Sequence, residues 1–183
     1  MKTTAIVLAA GQGKRMHSTV QKQFMILKGK PLLCYSLSCF QKSREIDEII
    51  LVTGEESIDF CKEDIVEKYG FSKVRTVVAG GRERYDSVYQ GLLACQDCDY
   101  VFIHDGARPF VTEEILVRAK TAAAAHKAAV VGMPSKDTVK IADEDQMISQ
   151  TPKRSLVWTI QTPQVFSYPL IRNAYEKARN QIM

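Results

Sequence analysis

Residues 8–16, which read LAAGQGKRM, have the composition of a phosphate-binding loop. They follow residues 4–7, an apolar run typical of a buried strand. The glycines leave backbone N–H groups open to the close approach of an anion, because no side chain blocks the way. Lys14 and Arg15 add two positive charges, and Lys22 adds a third a few residues later. This combination predicts a polyphosphate ligand.

Two familiar glycine motifs do not fit this segment. A P-loop reads G-x-x-x-x-G-K-[ST], whereas Gly13-Lys14 is followed by Arg15. A dinucleotide-binding fingerprint reads G-x-G-x-x-G, whereas Met16 stands in the place of its third glycine. Since a G-x-G pair alone is weak evidence, the prediction depends on the nearby cations and on two further loops.

Strands and helices alternate along the chain, so the expected fold class is α/β. The strands are near-continuous apolar runs, which predict a three-layer arrangement: a mostly parallel, twisted sheet covered by helices on both faces. Predicted strands are residues 4–7, 48–52, 74–78, 100–103 and 128–133. Predicted helices are residues 31–40, 57–69 and 85–95, a helix capped by Thr112, and residues 169–183. At 183 residues, the chain is expected to form a single domain.

Three loops of suitable composition follow predicted strands. They are residues 10–22, residues 80–87, which begin with a glycine pair, and residues 104–109, which read HDGARP. In parallel sheets, ligands bind beyond the carboxyl ends of the strands. The three loops therefore predict one common site at that edge of the sheet.

Residues 134–156 break the alternation. They are polar, alternate weakly and contain a predicted turn at residues 143–146, and a second strand-like piece covers residues 147–160. We interpret residues 134–156 as a protruding β-hairpin arm. An isolated two-stranded hairpin is marginal in water, so the arm would pack either on a partner subunit or on its own domain.

The net charge of +4 is mild, and Lys and Arg are scattered apart from groups at 14–22, 82–84 and 153–154. A nucleic-acid interface needs basic residues clustered in a patch, so small anionic substrates fit better and no nucleic-acid partner is expected. No apolar run approaches the roughly 20 residues of a membrane helix, and no signal-peptide pattern opens the chain. We therefore expect no membrane partner and a cytoplasmic location.

The five cysteines, without a secretion signal, predict free thiols in a reducing compartment. Cys95 and Cys98 form a C-x-x-C pair that could be a redox pair or half of a zinc site. Zinc would need two more ligands at motif spacing, and the sequence shows none, which favours free thiols.

The pattern L-A-A-G-x-G-x-R-M, followed by Lys22-Gln23, resembles the signature of sugar-phosphate nucleotidyltransferases. Four further motifs narrow the resemblance to the 2-C-methyl-D-erythritol 4-phosphate cytidylyltransferase family of the non-mevalonate isoprenoid pathway. They are GGRERYDSV at residues 80–88, HDGARP at 104–109, DTVK at 137–140 and TPQVF at 162–166. Ribitol-5-phosphate cytidylyltransferases share the first three motifs and remain the alternative, although Asp137-Thr138-x-Lys140 favours the erythritol family. The resemblance implies a Rossmann-like nucleotidyltransferase fold.

The resemblance also implies a reaction. An oxygen of 2-C-methyl-D-erythritol 4-phosphate would attack the α-phosphorus of CTP, giving 4-diphosphocytidyl-2-C-methyl-D-erythritol and pyrophosphate. Because the nucleophile is already an anion, positioning and electrostatic stabilisation would supply most of the catalysis. Mg²⁺ would bridge the phosphates, since it prefers substrate oxygens with few protein ligands.

Residue roles follow from the same resemblance. The expected catalytic residues are Arg15, Lys22 and Arg154. The expected CTP-binding residues are Ala9, Ala10, Gly11, Gln12, Gly13, Lys14, Gly80, Gly81, Arg82, Ser87 and Gly106. The expected sugar-phosphate-binding residues are Asp105, Arg108, Thr138, Arg154 and Thr162, and Asp105 would also approach the metal indirectly.

In the family, the arm of one subunit reaches the sugar-phosphate pocket of the other, so the resemblance implies a homodimer formed through the arm. Simpler interpretations remain beside these roles. Arg84 and Arg154 could be surface ion-pair residues, and Thr138 could be an ordinary strand residue. Ser87, His104 and Asp105 superficially suggest a hydrolytic triad, but no G-x-S-x-G elbow exists and His104 is expected to pack at a strand end.

Family members run beyond residue 183, and their additional part carries an Asn-x-Lys segment whose lysine binds phosphates. We expect the C-terminal part of the family fold to be missing from this chain. Two hypotheses follow: an active cytidylyltransferase with a shortened chain, or a dimer that binds CTP without turning it over.

Overall fold

Ten strands, among residues 1–11 and 20–182, make up the β-structure that the computed structural model describes. They are β1 (Thr3–Ala9), β2 (Ile26–Leu27), β3 (Lys30–Pro31), β4 (Glu48–Thr53), β5 (Val74–Ala79), β6 (Tyr100–Asp105), β7 (Ala128–Pro134), β8 (Ile141–Ala142), β9 (Ile148–Gln150) and β10 (Trp158–Ser167). The helices are α1 (Leu32–Lys42), α2 (Ile58–Phe60, continued by a π-helical stretch, Cys61–Glu67), α3 (Arg84–Ala94), α4 (Glu113–His126) and α5 (Tyr168–Ile182).

Six strands form the main sheet in the order β5-β4-β1-β6-β10-β7. The pairs β4–β5, β1–β4 and β1–β6 are parallel, whereas β10 is antiparallel to both β6 and β7. The prediction of a mostly parallel α/β sheet is therefore confirmed. The order brings the loops after β1, β5 and β6 to one edge, where the sequence predicts the site.

The central strands are apolar on both faces because helices cover both faces. On one face, Leu33 and Phe40 of α1 pack in the same core as Leu116 of α4. On the other face, Leu92 of α3 belongs to a second core, against which Tyr175 of α5 packs. The result is a three-layer structure whose rigid middle is β1, β4 and β6, and each of these strands delivers a loop to the same edge.

The helix ends follow local sequence signals. Thr112 is the N-cap of α4, as predicted, and its Oγ1 accepts a hydrogen bond from the Ile115 N–H at 3.4 Å. The predicted helix over residues 57–69 is confirmed, although its middle is π-helical. Gly70 follows that helix with φ at +67°, a conformation that costs glycine little.

The path of β10 is the main difference from the predicted strands. The second strand-like piece predicted over residues 147–160 is divided between β9 and the start of β10, which then continues to Ser167 inside the main sheet. Residues 158–160 and 164–166 pair with β7, with a register shift between the two groups, and residues 164–167 also pair with β6 on the other side. No crossover helix precedes β10, so it returns antiparallel, as a hairpin-type connection requires.

The predicted arm is present as a small two-stranded sheet of β8 and β9, separate from the main sheet. Every residue from 141 to 150 is exposed. The arm leaves the body after β7 and returns through a 3₁₀ turn, Arg154–Leu156, into β10. No helix in the described part of the chain combines the length and apolarity that a bilayer crossing requires.

Candidate functional site

The loops after β1 and β5 touch at the edge of the sheet. A Cβ placed on Gly80 would lie 2.7 Å from the Cβ of Ala10 and 2.7 Å from Oγ of Ser87. Such distances are far inside van der Waals contact, so these backbones come this close only because residue 80 has no side chain. The structure therefore brings together three of the residues predicted to bind CTP.

Residues 80–87 form a tight turn that opens α3. Ser87 is 4% exposed, and its Oγ accepts a hydrogen bond from the Gly81 N–H at 3.1 Å. Glu83 and Asp86 form a capping box, in which each side chain accepts a hydrogen bond from the backbone of the other. Arg82 is exposed at the tip of this turn. The turn thus has a defined shape before any ligand arrives.

Gln23 holds the backbone at the end of β1. This side chain is 4% exposed, and its Nε2 donates to the carbonyl oxygens of Ala9 at 2.6 Å and Gly11 at 3.0 Å. It thereby ties the end of β1 to the segment that carries Lys22, which is exposed at the same edge. Gln23 was not among the predicted site residues, although its place directly after Lys22 in the motif is a usable signal.

Asp105 is the centre of a charged cluster. Its Oδ1 accepts from Nε and Nη2 of Arg84 at 3.1 and 3.0 Å, and its Oδ2 accepts from Nε of Arg108 at 3.0 Å. Arg84 also reaches Gln164 of β10, and Arg108 bonds Gln161. Two guanidinium groups against one carboxylate leave the cluster with one net positive charge, which suits an anionic ligand.

Arg84 was not among the predicted site residues, and a surface ion pair was given as a simpler interpretation of its charge. The structure shows that it does form an ion pair, but with Asp105, a predicted site residue 21 positions away. Only the pairing of β1 with β6 and the docking of α3 bring the two together. The local signal was its place in the glycine-bearing loop.

Gly106 lets the third loop approach the first strand. Its N–H donates to the Leu8 carbonyl at 2.8 Å, and a Cβ on Gly106 would lie 2.7 Å from Leu33 Cδ1. Gly106 is buried. It therefore packs against β1 through its backbone, while its neighbour Asp105 stays at the open edge.

His104 and Thr162 form a hydrogen-bonded chain that ends at the backbone N–H of Asp105. Nε2 of His104 lies 3.1 Å from the Arg108 carbonyl, which can only accept, so we assign the ring proton to Nε2. Nδ1 is then an acceptor, and the Thr162 hydroxyl donates to it at 3.1 Å while accepting from the Asp105 N–H at 3.2 Å. The Thr162 proton is thus committed, and toward a ligand Thr162 acts as an acceptor. His104 packs at the strand end, as predicted, edge-on to Phe40.

Stability should decrease on mild acidification because of His104. Burial lowers the pKa of His104 from 6.5 to about 4. A lowered histidine pKa means that the folded protein favours the neutral imidazole. The contribution of His104 to the free energy of unfolding is therefore complete above pH 6.5 and is lost as the pH falls toward 4. We expect the unfolding free energy from urea titrations to fall by about 2 kcal/mol between about pH 7.5 and about pH 5. A value independent of pH would contradict the buried, neutral imidazole.

The remaining predicted residues divide into two groups. Thr138 and Arg154 are exposed in the arm, and the described residues show no hydrogen bond or ion pair joining them to the Asp105 cluster. A guanidinium nitrogen of Arg154 donates instead to the Lys136 carbonyl at 3.3 Å. Outside the described residues lie Gln12, Gly13, Lys14 and Arg15.

All five cysteines are free thiols. Cys95 and Cys98 are 6% and 8% exposed just after α3, near the start of β6 and therefore at the opposite edge of the sheet from the predicted site. Across residues 1–11 and 20–182, no group of three or more His, Cys, Asp or Glu side chains is placed to hold a metal ion. The C-x-x-C pair therefore gains no further zinc ligand in the described structure.

The sequence matches a family model described as 2-C-methyl-D-erythritol 4-phosphate cytidylyltransferase (IspD) over residues 3–183. A protein of that name from Lachnoclostridium phytofermentans is 52% identical over 175 residues, which are 96% of this chain and 75% of the relative. Another, from Caldanaerobacter subterraneus, is 47% identical over 179 residues, which are 97% of this chain and 79% of the relative.

The backbone agrees with a solved structure as well. The crystal structure described as 4-diphosphocytidyl-2C-methyl-D-erythritol synthase from Anaerococcus prevotii superposes with a TM-score of 0.86 at 39% identity, and the match covers 98% of this chain and 75% of that one. Sequence and backbone thus agree over nearly all of the chain. The chain belongs to the 2-C-methyl-D-erythritol 4-phosphate cytidylyltransferase family.

Proposed function

We propose that this chain transfers the cytidylyl group of CTP to 2-C-methyl-D-erythritol 4-phosphate in isoprenoid biosynthesis. The products are 4-diphosphocytidyl-2-C-methyl-D-erythritol and pyrophosphate. Family membership supports the reaction. The observation that carries it in the structure is the close contact of Gly80 with Ala10 and Ser87, in a loop that leads directly to the Arg84–Asp105–Arg108 cluster.

The glycine-bearing turn supplies the nucleoside side of the site. A flat pyrimidine needs a slot bordered by backbone rather than by bulky side chains, and Gly80 and Gly81 provide such a border. The backbone of Ala9 to Gly11, held by Gln23, lies beside it and leads toward the expected triphosphate position. Base recognition would therefore use backbone groups whose positions are set before CTP binds.

The charged cluster supplies the sugar-phosphate side. Attack by one phosphate on another brings two anions together, so the main requirement is positive charge at fixed positions. Arg108 and Lys22 offer that charge from two different loops, and Asp105 holds the Arg108 guanidinium in place. Thr162, whose proton is committed to His104, would accept a hydrogen bond from a hydroxyl group of the sugar rather than donate to its phosphate.

We also propose that Mg²⁺ assists this reaction. The donor set fits a magnesium ion held mainly by substrate, because Asp105 is a carboxylate at the edge and Mg²⁺ commonly keeps several waters. Both carboxylate oxygens already accept from guanidinium groups, so Asp105 would hold the ion through water. When bound, the ion would neutralise phosphate charge.

Pyrophosphate release is the direct test of the proposed function. The chain is incubated with CTP, Mg²⁺ and either 2-C-methyl-D-erythritol 4-phosphate or ribitol 5-phosphate. Release with the first sugar phosphate and not with the second supports the proposal. Release only with ribitol 5-phosphate identifies the alternative cytidylyltransferase. CTP binding by calorimetry without release supports the other hypothesis, a protein that binds the nucleotide without turning it over.

A homodimer formed through the arm is also proposed. Exposed apolar side chains on and beside the arm support it, since Met147, Ile148 and Leu156 are 66%, 62% and 77% exposed. The arm also carries acidic residues at its tip, 143–145, and basic residues near its base, so two arms could pair with complementary charge. Light scattering should give twice the 20.6 kDa mass of the chain. A double variant, Met147→Glu with Ile148→Glu, should give the mass of a single chain. A monomeric wild-type chain would contradict the proposal.

Arg154→Ala should raise the KM for the sugar phosphate about tenfold and leave the KM for CTP unchanged, because a guanidinium–phosphate contact is lost. Initial rates with each substrate varied in turn provide the measurement. Lys153→Ala is the matched control, since Lys153 is the exposed neighbouring cation. A larger effect on CTP would mean that the arm reaches the nucleotide instead.

We propose a cytoplasmic location for the enzyme. The five free thiols support it, because unpaired cysteines persist in reducing compartments. Fractionation of cells that express the full natural protein tests this. Recovery of the protein in a membrane or secreted fraction would contradict it.

A further inference from the structure

Helix α5 lies against the first turns of α3, beside the glycine-bearing turn. Tyr175 stacks on Tyr89 with ring centroids 6.2 Å apart and planes 10° apart. The guanidinium groups of Arg172 and Arg179 lie 5.3 and 4.5 Å from the centre of the Tyr89 ring. One aromatic ring of α3 is therefore held by three side chains of α5, each contact being of a kind that is individually weak but directional.

Asp86 joins this contact to the turn. Its Oδ1 accepts from Nη1 of Arg179 at 3.2 Å, and its Oδ2 accepts from the Glu83 N–H at 3.2 Å. A Cβ on Gly81 would overlap the Cβ of Asp86, so the Gly81 backbone rests directly on this residue. The position of the Asp86 side chain therefore controls the path of the chain between Gly81 and Glu83.

That path borders the contact of Gly80 with Ala10, where the base of CTP is proposed to lie. Residues 81–85 are all exposed, so few packing contacts hold the turn apart from the capping hydrogen bonds. A small rotation of the Asp86 carboxylate would release the Glu83 amide and widen the slot.

We propose that Arg179 is a positioning residue for nucleotide binding: through Asp86 it holds the turn at residues 80–83 in the shape that admits the cytosine base. This inference rests on the proposed function, because it takes CTP as the ligand of that turn. Arg179 itself does not touch the substrate. It acts from α5, and no sequence motif identified above contains it.

The exposure of the pair argues for a positioning effect rather than a stabilising one. The side chains of Arg179 and Asp86 are 44% and 26% exposed, and ion pairs this open contribute little to global stability. Their effect should be confined to the local order of the turn. Arg179→Ala is therefore expected to leave the melting temperature within about 2 °C of wild type.

Arg172 provides a matched control. It covers the same Tyr89 ring from the same helix, but its ion pair is with Glu176, within α5, at 2.6 Å. Arg172→Ala removes a comparable charge and ring contact without touching Asp86. A difference between the two variants then reports on Asp86 and the turn.

Steady-state kinetics and amide exchange test the proposal together. We expect Arg179→Ala to raise the KM for CTP about fivefold, with the KM for the sugar phosphate and kcat nearly unchanged, and Arg179→Lys to restore part of the loss. Arg172→Ala should have the wild-type KM. In the ligand-free protein, Arg179→Ala should speed exchange of the Glu83 amide, whereas Arg172→Ala should not.

The exchange measurement needs no turnover, so it separates this inference from the proposed function. If the wild-type chain releases no pyrophosphate but Glu83 exchange rises in Arg179→Ala, the proposed reaction fails while the control of the turn stands. If both arginine variants behave alike, or if the Glu83 amide is unaffected by Arg179→Ala, the positioning role is wrong.

Discussion

Arg15→Ala should lower kcat about 300-fold while changing the KM for CTP less than about threefold. The reason is the time at which charge appears. The α-phosphate and the leaving pyrophosphate gain negative charge as the transition state forms, so a cation aimed there stabilises the transition state more than bound CTP. Initial rates of pyrophosphate release with CTP varied give both constants. Arg15 lies outside the described residues, and the expectation comes from the family resemblance.

Arg118→Ala is the control for this prediction. Arg118 is an exposed arginine of α4 whose side chain is 76% exposed. Removing it changes the net charge equally, so it should leave both constants near their wild-type values. Equal losses in kcat and CTP affinity for Arg15→Ala would show that Arg15 binds the ground state and has no special role in the transition state.

Asp105→Asn should lower kcat about 100-fold. Asparagine keeps the size of the side chain but removes the charge that holds the Arg84 and Arg108 guanidinium groups at 3.0 Å. These two cations would then repel each other across a neutral amide, and Arg108 would lose the fixed position from which we propose that it contacts the sugar phosphate. The carboxylate proposed to approach Mg²⁺ would also be lost, so raising the Mg²⁺ concentration should restore little of the rate.

Loss of folding cannot account for that result, because the ion pairs are open. The side chains of Arg84, Arg108 and Asp105 are 48%, 43% and 29% exposed, and such pairs add little to stability. Asp99→Asn, at the residue immediately before β6, is the matched control. Asp99 accepts from the Lys2 N–H at 2.7 Å and is far along the strand from the site. Similar losses of activity in both variants would contradict a specific role for Asp105.

The arrangement of elements was largely predictable because the relevant signals are local. Buried parallel strands must be apolar along their whole length, and the runs at residues 4–7 and 48–52 are. The start of α4 was predictable from Thr112 for an equally local reason, since the Thr112 side chain caps the helix. Such features depend on neighbours a few residues away, and those neighbours can be found in the sequence.

The order of the strands beyond β6 was not predictable in the same way. Whether β10 joins the main sheet, and between which strands, depends on free energies of pairing with β6 and β7, which are distant in sequence. The alternating stretch around residues 147–160 is compatible with an arm strand and with a sheet strand. The choice between these two strands depends on how the chain returns from the arm and pairs with β7, which the local pattern does not show.

The residues of the candidate site show the same difference between local and distant signals. The first loop, the glycine pair at Gly80 and the charges at Asp105 and Arg108 were all identifiable from residue type and from their place after a strand. The partners of those residues were not. Gln23 bonded to the end of β1, and Arg84 paired with Asp105, act through contacts that exist only in the folded chain.

The fold class, the family and the edge at which we place the site could all be predicted from the sequence, because apolar periodicity and ordered motifs are properties of the linear chain. The groups that are already hydrogen-bonded or ion-paired are visible only in the folded chain: the Thr162 hydroxyl with His104, the Asp105 carboxylate between two arginines, and Asp86 between α5 and the turn. The physical reason is that hydrogen bonds and ion pairs require atoms within about 3 Å, and the sequence does not state which distant residues come that close.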